Sequence, residues 1–158
     1  MKKTIAGFLV AGVILAGIPG NTTAQTTVNQ SRPAAVDGIV EVMSTNGSVQ
    51  VIGWGKQEVV VEGVLGKKTE RLVFEGDGYR TRVRVPEGNR DAEPSHLKIH
   101  VPAGSQVEVA TSGADIEISR ATGMLYLQSV TGDIRVQGSP REIDARSVQG
   151  EIEISVSQ

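Results

Sequence analysis

The chain has 158 residues, a formal net charge of −2, and 39% hydrophobic residues. One domain with an apolar core fits that length and composition, and wholesale disorder does not. Aromatics at 3%, the absence of cysteine and the near-neutral charge argue against a membrane-barrel girdle, disulfides, thiolate metal sites, cysteine nucleophiles and nucleic-acid binding.

In chain order, the first element is an export signal. Met1-Lys2-Lys3 is basic, Ile5 to Ile18 is apolar with only glycine interruptions, and Pro19-Gly20 breaks any helix. Thr22-Thr23-Ala24 supplies the small residues that precede cleavage. The apolar run is about 14 residues, short of the ~20 that span a bilayer. Residues 1–24 are therefore expected to be a signal peptide, with no stable membrane span after its cleavage. Residues 25–38 are rich in Thr, Gln, Asn, Ser and Pro and lack periodicity, which suggests a flexible leader. Residues 39–158 then form a single strand-repeat domain.

From Gly38 onward apolar residues alternate with period two, the strand signature. Examples are Val40/Val42, Val49/Val51, Val59/Val61, Val83/Val85 and Leu97/Ile99/Val101. Gly76-Asp77-Gly78, between Arg71–Glu75 and Tyr79–Val85, has the composition of a hairpin turn. The C-terminal third repeats at 18 residues. Val107, Leu125 and Ile143 form one column, and Val109, Leu127 and Ala145 the next. Ser112, Val130 and Val148 follow, then Ile116, Ile134 and Ile152, then Ile118, Val136 and Ile154. The apolar members of these columns are the expected core. Gly113, Gly132 and Gly150 recur at the corners, and residues 40–51 match 107–118 at an offset of 67.

A unit of two short strands cannot bury its apolar face alone, whereas stacked units pile like columns about 4.8 Å apart. The expected class is all-β: a small parallel β-solenoid on the 18-residue repeat, with an antiparallel excursion over residues 58–101. A β-sandwich is the alternative.

Several of these segments resemble a known family. They are Asn46-Gly47-Ser48-Val49-Gln50-Val51-Ile52-Gly53-Trp54 with Glu58-Val59-Val60-Val61, and Leu97-Lys98-Ile99-His100-Val101-Pro102-Ala103-Gly104. With them stand the repeats Gly132-Asp133-Ile134-Arg135-Val136 and Gly150-Glu151-Ile152-Glu153-Ile154. In this order they resemble the bacterial putative-adhesin family of β-strand repeat proteins, a domain of unknown function, over about residues 38–157. The resemblance implies an exported envelope protein with a β-solenoid and supplies no catalytic residues. The chain is a short member by that comparison.

Candidate chemistry is sparse. His96, Lys98 and His100 share an outward parity, and four residues along a strand is ~13 Å, too far for one metal ion. Serines 112, 129 and 147 sit at corners, where hydroxyls satisfy turn backbone. Gly66-Lys67-Lys68-Thr69 has Val61 where a phosphate loop needs glycine. Asp115, Asp133 and Glu151 occupy one column, a ladder that could hold Ca²⁺ or instead cap corner amides. Glu117, Arg135 and Glu153 alternate in sign, as a surface ladder would. Asp133 and Arg135, with Glu117 and Tyr126 nearby, form the best enzyme-like grouping, and Trp54 fits a packed corner.

The expected function is a non-catalytic interaction or adhesion-type module at the bacterial cell envelope, periplasmic or secreted to the surface, without a cofactor. Its partner would be a protein or an envelope glycan. The alternatives are a polysaccharide-active enzyme, a calcium-dependent carbohydrate binder on the solenoid surface, or an accessory domain of an envelope-stress sensor. The last repeat, Gly150 to Val156, is expected to leave an uncapped strand row and so to self-associate through this C-terminal rung.

Overall fold

β-Branched and aliphatic residues at every second position leave each segment one apolar and one polar face, and such faces close only against one another. The computed structural model describes residues 25–67, 69, 71–86 and 93–157. The expected signal segment, residues 1–24, lies outside them. In chain order the strands are β1 Thr26–Pro33, β2 Ile39–Ser44, β3 Gly47–Trp54, β4 Glu58–Leu65 and β5 Val73–Gly76. Next come β6 Arg80–Arg84, β7 Ser95–Pro102, β8 Gln106–Thr111 and β9 Asp115–Ala121. β10 Met124–Ser129, β11 Ile134–Gly138, β12 Glu142–Ser147 and β13 Ile152–Val156 complete the order. Among the described residues no helix is long and apolar enough to cross a membrane.

The strands form two mixed sheets, one of seven strands in the order β1-β4-β7-β3-β9-β11-β13 and one of six in the order β12-β10-β8-β2-β6-β5. One apolar cluster joins their inner faces. The all-β class is as expected, and a sandwich-like pair of sheets describes the arrangement. Antiparallel pairing falls on the expected excursion over residues 58–101, with β1 added to it. β4 is antiparallel to β1 and β7, and β5 is antiparallel to β6. The antiparallel excursion is itself mixed, because β6 and β7 run parallel to β2 and β3.

The sequence columns correspond to pairing registers. Leu125 lies between Val107 and Ile143, and Leu127 lies between Val109 and Ala145. Ile134 lies between Ile116 and Ile152, and Val136 lies between Ile118 and Ile154. The 67-residue offset is also a register, Val40 with Val107 and Val49 with Ile116.

Burial departs from the expected core at four valines and isoleucines. Val130 and Val148 are 48% and 75% exposed. Their column lies beyond the strands, at a corner where the backbone turns and period-two facing no longer applies. Ile152 and Ile154 are 39% and 45% exposed, because β13 is an edge strand and no described residue covers its far side. Ile143 and Ala145 on edge strand β12 are half-buried for the same reason.

The expected leader contains β1, a full edge strand paired with β4 from Thr26–Leu65 to Pro33–Glu58. Only Val28 among its residues is buried. Backbone hydrogen bonds hold this strand, so it carries no side-chain alternation for a pattern to detect. At the β5–β6 hairpin, Gly78 has φ of +94°, which favours glycine. Asp77 Oδ1 accepts from the amides of Tyr79 at 2.9 Å and Arg80 at 2.8 Å.

Candidate functional site

Each sheet presents an outer face whose side chains come from every second residue, so strand register decides which of them meet. On the seven-stranded sheet one row crosses every strand: Asn29, Glu62, Lys98, Gln50, Glu117, Arg135 and Glu153. Arg135 Nε donates to Glu153 Oε2 at 3.0 Å. That bond and the neighbouring carboxylates hold the Arg135 guanidinium protonated above its ordinary range. The row is a charge ladder of the expected kind.

Asp115, Asp133 and Glu151 do lie in one column, yet they do not converge on a cation position. Asp115 Oδ1 accepts from the Asp133 amide at 2.9 Å, and Asp133 Oδ1 accepts from the Glu151 amide at 2.8 Å. Each aspartate therefore caps the corner one rung along. Among the described residues no group of three His, Asp or Glu is placed to hold a metal ion, and these amide bonds are those of the capping alternative. Asp115, Glu117, Asp133 and Arg135 line a shallow concavity of about 380 Å³. Tyr126 does not join them, because β10 belongs to the other sheet.

The corner hydroxyls are likewise structural. Ser129 Oγ accepts from the Gly132 amide at 2.9 Å, and Ser147 Oγ accepts from the Gly150 amide at 2.8 Å. Thr111 Oγ1 donates to Ala114 O at 2.8 Å, so Thr111, not Ser112, heads this hydroxyl column. Gly132 is required there, since a Cβ would stand 2.2 Å from Ala114 O.

His96 and Lys98 are exposed and His100 is half-buried. Ser48 Oγ and His96 Nδ1 lie 2.8 Å apart. The Trp54 indole stacks on the His100 ring, centroids 4.7 Å apart at 30°, and its Nε1 donates to Glu58 O at 2.8 Å. Lys56 Nζ stands 4.8 Å from the indole centroid. Trp54 is thus bound to its own corner.

The site that period-two reading misses lies on the outer face of the six-stranded sheet. Glu41 and Met43 from β2, Glu108 and Ala110 from β8, and Tyr126 and Gln128 from β10 line a groove of about 340 Å³. A second concavity of about 500 Å³ shares Met43 and Ala110 and runs on to Arg84 and Pro86. Together they form one trough with an apolar floor. Met43 is 46% exposed at its centre.

The rim is charged, with both signs present, and pre-ordered. Glu41 pairs with Arg80, and Arg82 Nε donates to its Oε2 at 2.9 Å, raising the Arg82 pKa. Gln106 Nε2 donates to Glu108 Oε1 at 2.7 Å. Tyr126 Oη donates to Glu142 Oε1 at 3.5 Å, and the charge of Glu142, followed by desolvation, pushes the phenol pKa up. The available signal was the 67-residue register, which sets outward Met43 beside outward Ala110.

No protein-family profile and no curated protein matches the chain. Among solved structures, a putative cell adhesion protein from Clostridium sporogenes superposes with a TM-score of 0.51 at 6% identity, covering 84% of this chain and 100% of that one. A putative adhesin from Parabacteroides distasonis gives 0.43 at 12% identity, over 82% of this chain and 65% of that one. A putative adhesin from Bacteroides fragilis gives 0.36 at 9%, over 85% and 99%. At these identities the first likeness concerns the fold alone. These neighbours carry the description of the family that the sequence resembles.

Proposed function

We propose that the protein is a non-catalytic interaction module of the adhesion type, exported to the bacterial envelope, which binds through the trough of its six-stranded sheet. The apolar floor at Met43 and Ala110 between ordered charged rims carries this reading. Solvent-facing strand positions are ordinarily polar, and exposed apolar floors with a few fixed polar groups are where ligands bind. The fold likeness to a structure described as a putative cell adhesion protein supports it. Glu108 and Glu142 on one side and Arg82 and Arg84 on the other suit a partner that carries both charges along its length, such as an envelope protein segment. In the same reading, β8 to β13 are wound as a parallel coil on the 18-residue register.

Co-sedimentation of the purified chain with isolated bacterial envelopes tests the binding face. Met43→Glu, which puts a charge on the floor, should abolish retention, and Tyr126→Ala should weaken it. The Arg135→Ala variant, on the opposite sheet, should bind like the wild type. Equal retention of all three variants would remove the trough from the binding account.

A further inference from the structure

The two ends of the paired sheets differ. At one end, edge strands β1 and β5 are bridged by Arg32, whose Nε donates to Phe74 O at 3.1 Å across the sheets. At the other, edge strands β12 and β13 leave Ile143 and Ala145 half-buried and Ile152, Ile154 and Val156 exposed. These side chains belong to the inward rows, directly above Leu125, Leu127, Ile134 and Val136. An apolar core layer is therefore open among the described residues, together with two unpaired strand edges.

The backbone phase of β13 is fixed at both ends. Glu151 O accepts from the Ile134 amide at 2.8 Å, and the Ser157 amide donates to Gly138 O at 2.9 Å. In a parallel strand alternate residues face the same neighbour. Glu153 and Ser155 therefore face β11, while Ile152, Ile154 and Val156 turn their amides and carbonyls to the open side. A proline at Ser155 would break an internal bond and leave the edge itself intact.

We propose that this end is the interface of a two-fold symmetric dimer, the occupant being a second copy of the same chain. Antiparallel pairing of β13 with its copy, centred on Ile154, sets Ile152 opposite Val156 and Glu153 opposite Ser155. Centring on Ile152 or Glu153 would instead oppose glutamates. On β12, centring on Ala145 sets Asp144 of each copy opposite Arg146 of the other, whereas centring on Asp144 or Ile143 opposes acids. Ala145 lies two residues before Ser147, and Ile154 two residues after Ile152, where the chain turns between β12 and β13. The two centres thus stand across the core from each other, and one axis serves both strands. The intrachain bond from Arg146 Nε to Asp144 Oδ1, at 2.9 Å, already orders both charges. Opposite charges across a strand pair are favourable and like charges are not. The self-complementary charge pattern is what selects a copy of this chain.

Sedimentation equilibrium of the full chain from about 1 to 200 μM tests this, since the range brackets micromolar dissociation constants. The expected result is a monomer–dimer equilibrium with no larger species. Ile154→Lys should be monomeric throughout with its circular dichroism unchanged. Arg146→Asp should raise the dissociation constant about tenfold or more, and Asp144→Arg with Arg146→Asp together should restore dimerisation. A monomer at every concentration overturns the proposal. So does association that ignores both single variants, which would place the contact elsewhere, such as residues 1–24. Growth into longer polymers would mean head-to-tail stacking, and it overturns the two-fold axis.

Discussion

Arg32 and Phe74 join the two sheets at one end of the protein: Arg32 Nε donates to Phe74 O, and the guanidinium carbon lies 5.5 Å from the centre of the Phe74 ring. The bond crosses from β1 in one sheet to β5 in the other and covers the apolar layer containing Val28 and Phe74. Arg32→Ala removes a hydrogen bond and a cation–π contact, together worth about 1–2 kcal/mol. Urea denaturation should show that loss in the midpoint at unchanged slope. Arg32→Lys, which lacks the planar fork, should recover only part of it.

Ile134 and Ile152 are the same residue type in the same column, yet one is buried and the other exposed. Ile134→Ala should cost about 2–5 kcal/mol, because packed neighbours on both sides keep the cavity open. Ile152→Ala should cost less than Ile134→Ala in the monomer, because 39% of its surface is already exposed and no described residue on its far side keeps a cavity open. Ile134→Lys should prevent folding while Arg135→Ile is tolerated. The reverse result would invert the facing of β11.

The 18-residue columns were legible because a parallel register repeats the same inward pair on every rung, as Ile116, Ile134 and Ile152 do. Four of the five columns are ladder positions. The fifth misled because a valine one residue past a strand end looks the same in sequence as one inside it. β1 was hidden for the opposite reason: backbone bonds pair it with β4, and apart from Val28 its side chains are exposed on both faces. The trough escaped notice because Met43 and Ala110 come from strands 67 residues apart, and only register makes them neighbours.

Asp77 accepts two backbone bonds, from Arg80 and Tyr79, and these hold its carboxyl below the ordinary value of 3.8. The fold favours the charged form, so this stabilisation is present above pH 3.8 and is lost as pH falls through the lower, folded-state value. Asp77→Asn should flatten the acid limb of the melting-temperature profile below that pH. Unchanged acid sensitivity would show that other carboxylates govern it.

The acidic column caps amides, so calcium should not stabilise the protein. Melting temperatures with millimolar calcium and with chelator should coincide, whereas saturation at 100 times a dissociation constant would add about 2.7 kcal/mol. Asp133→Ala should cost about 1 kcal/mol by freeing the Glu151 amide, and Asp133→Asn, which keeps an acceptor oxygen, should cost less. A calcium-dependent rise in melting temperature would mean that the carboxylates leave their amides to share a cation.

The parallel registers of β9, β11 and β13 make Glu117, Arg135 and Glu153 direct neighbours on one face. The chain has no cysteine, so thiols can be placed there without background. A short bis-alkylating reagent, fluorescent only when both arms have reacted, should join Glu117→Cys to Arg135→Cys, and Arg135→Cys to Glu153→Cys, at about 5 Å. It should leave Glu117→Cys with Gln137→Cys unjoined, a diagonal of about 8 Å. Fluorescence from the diagonal pair, with none from the two in-register pairs, would contradict the register on which the whole account rests.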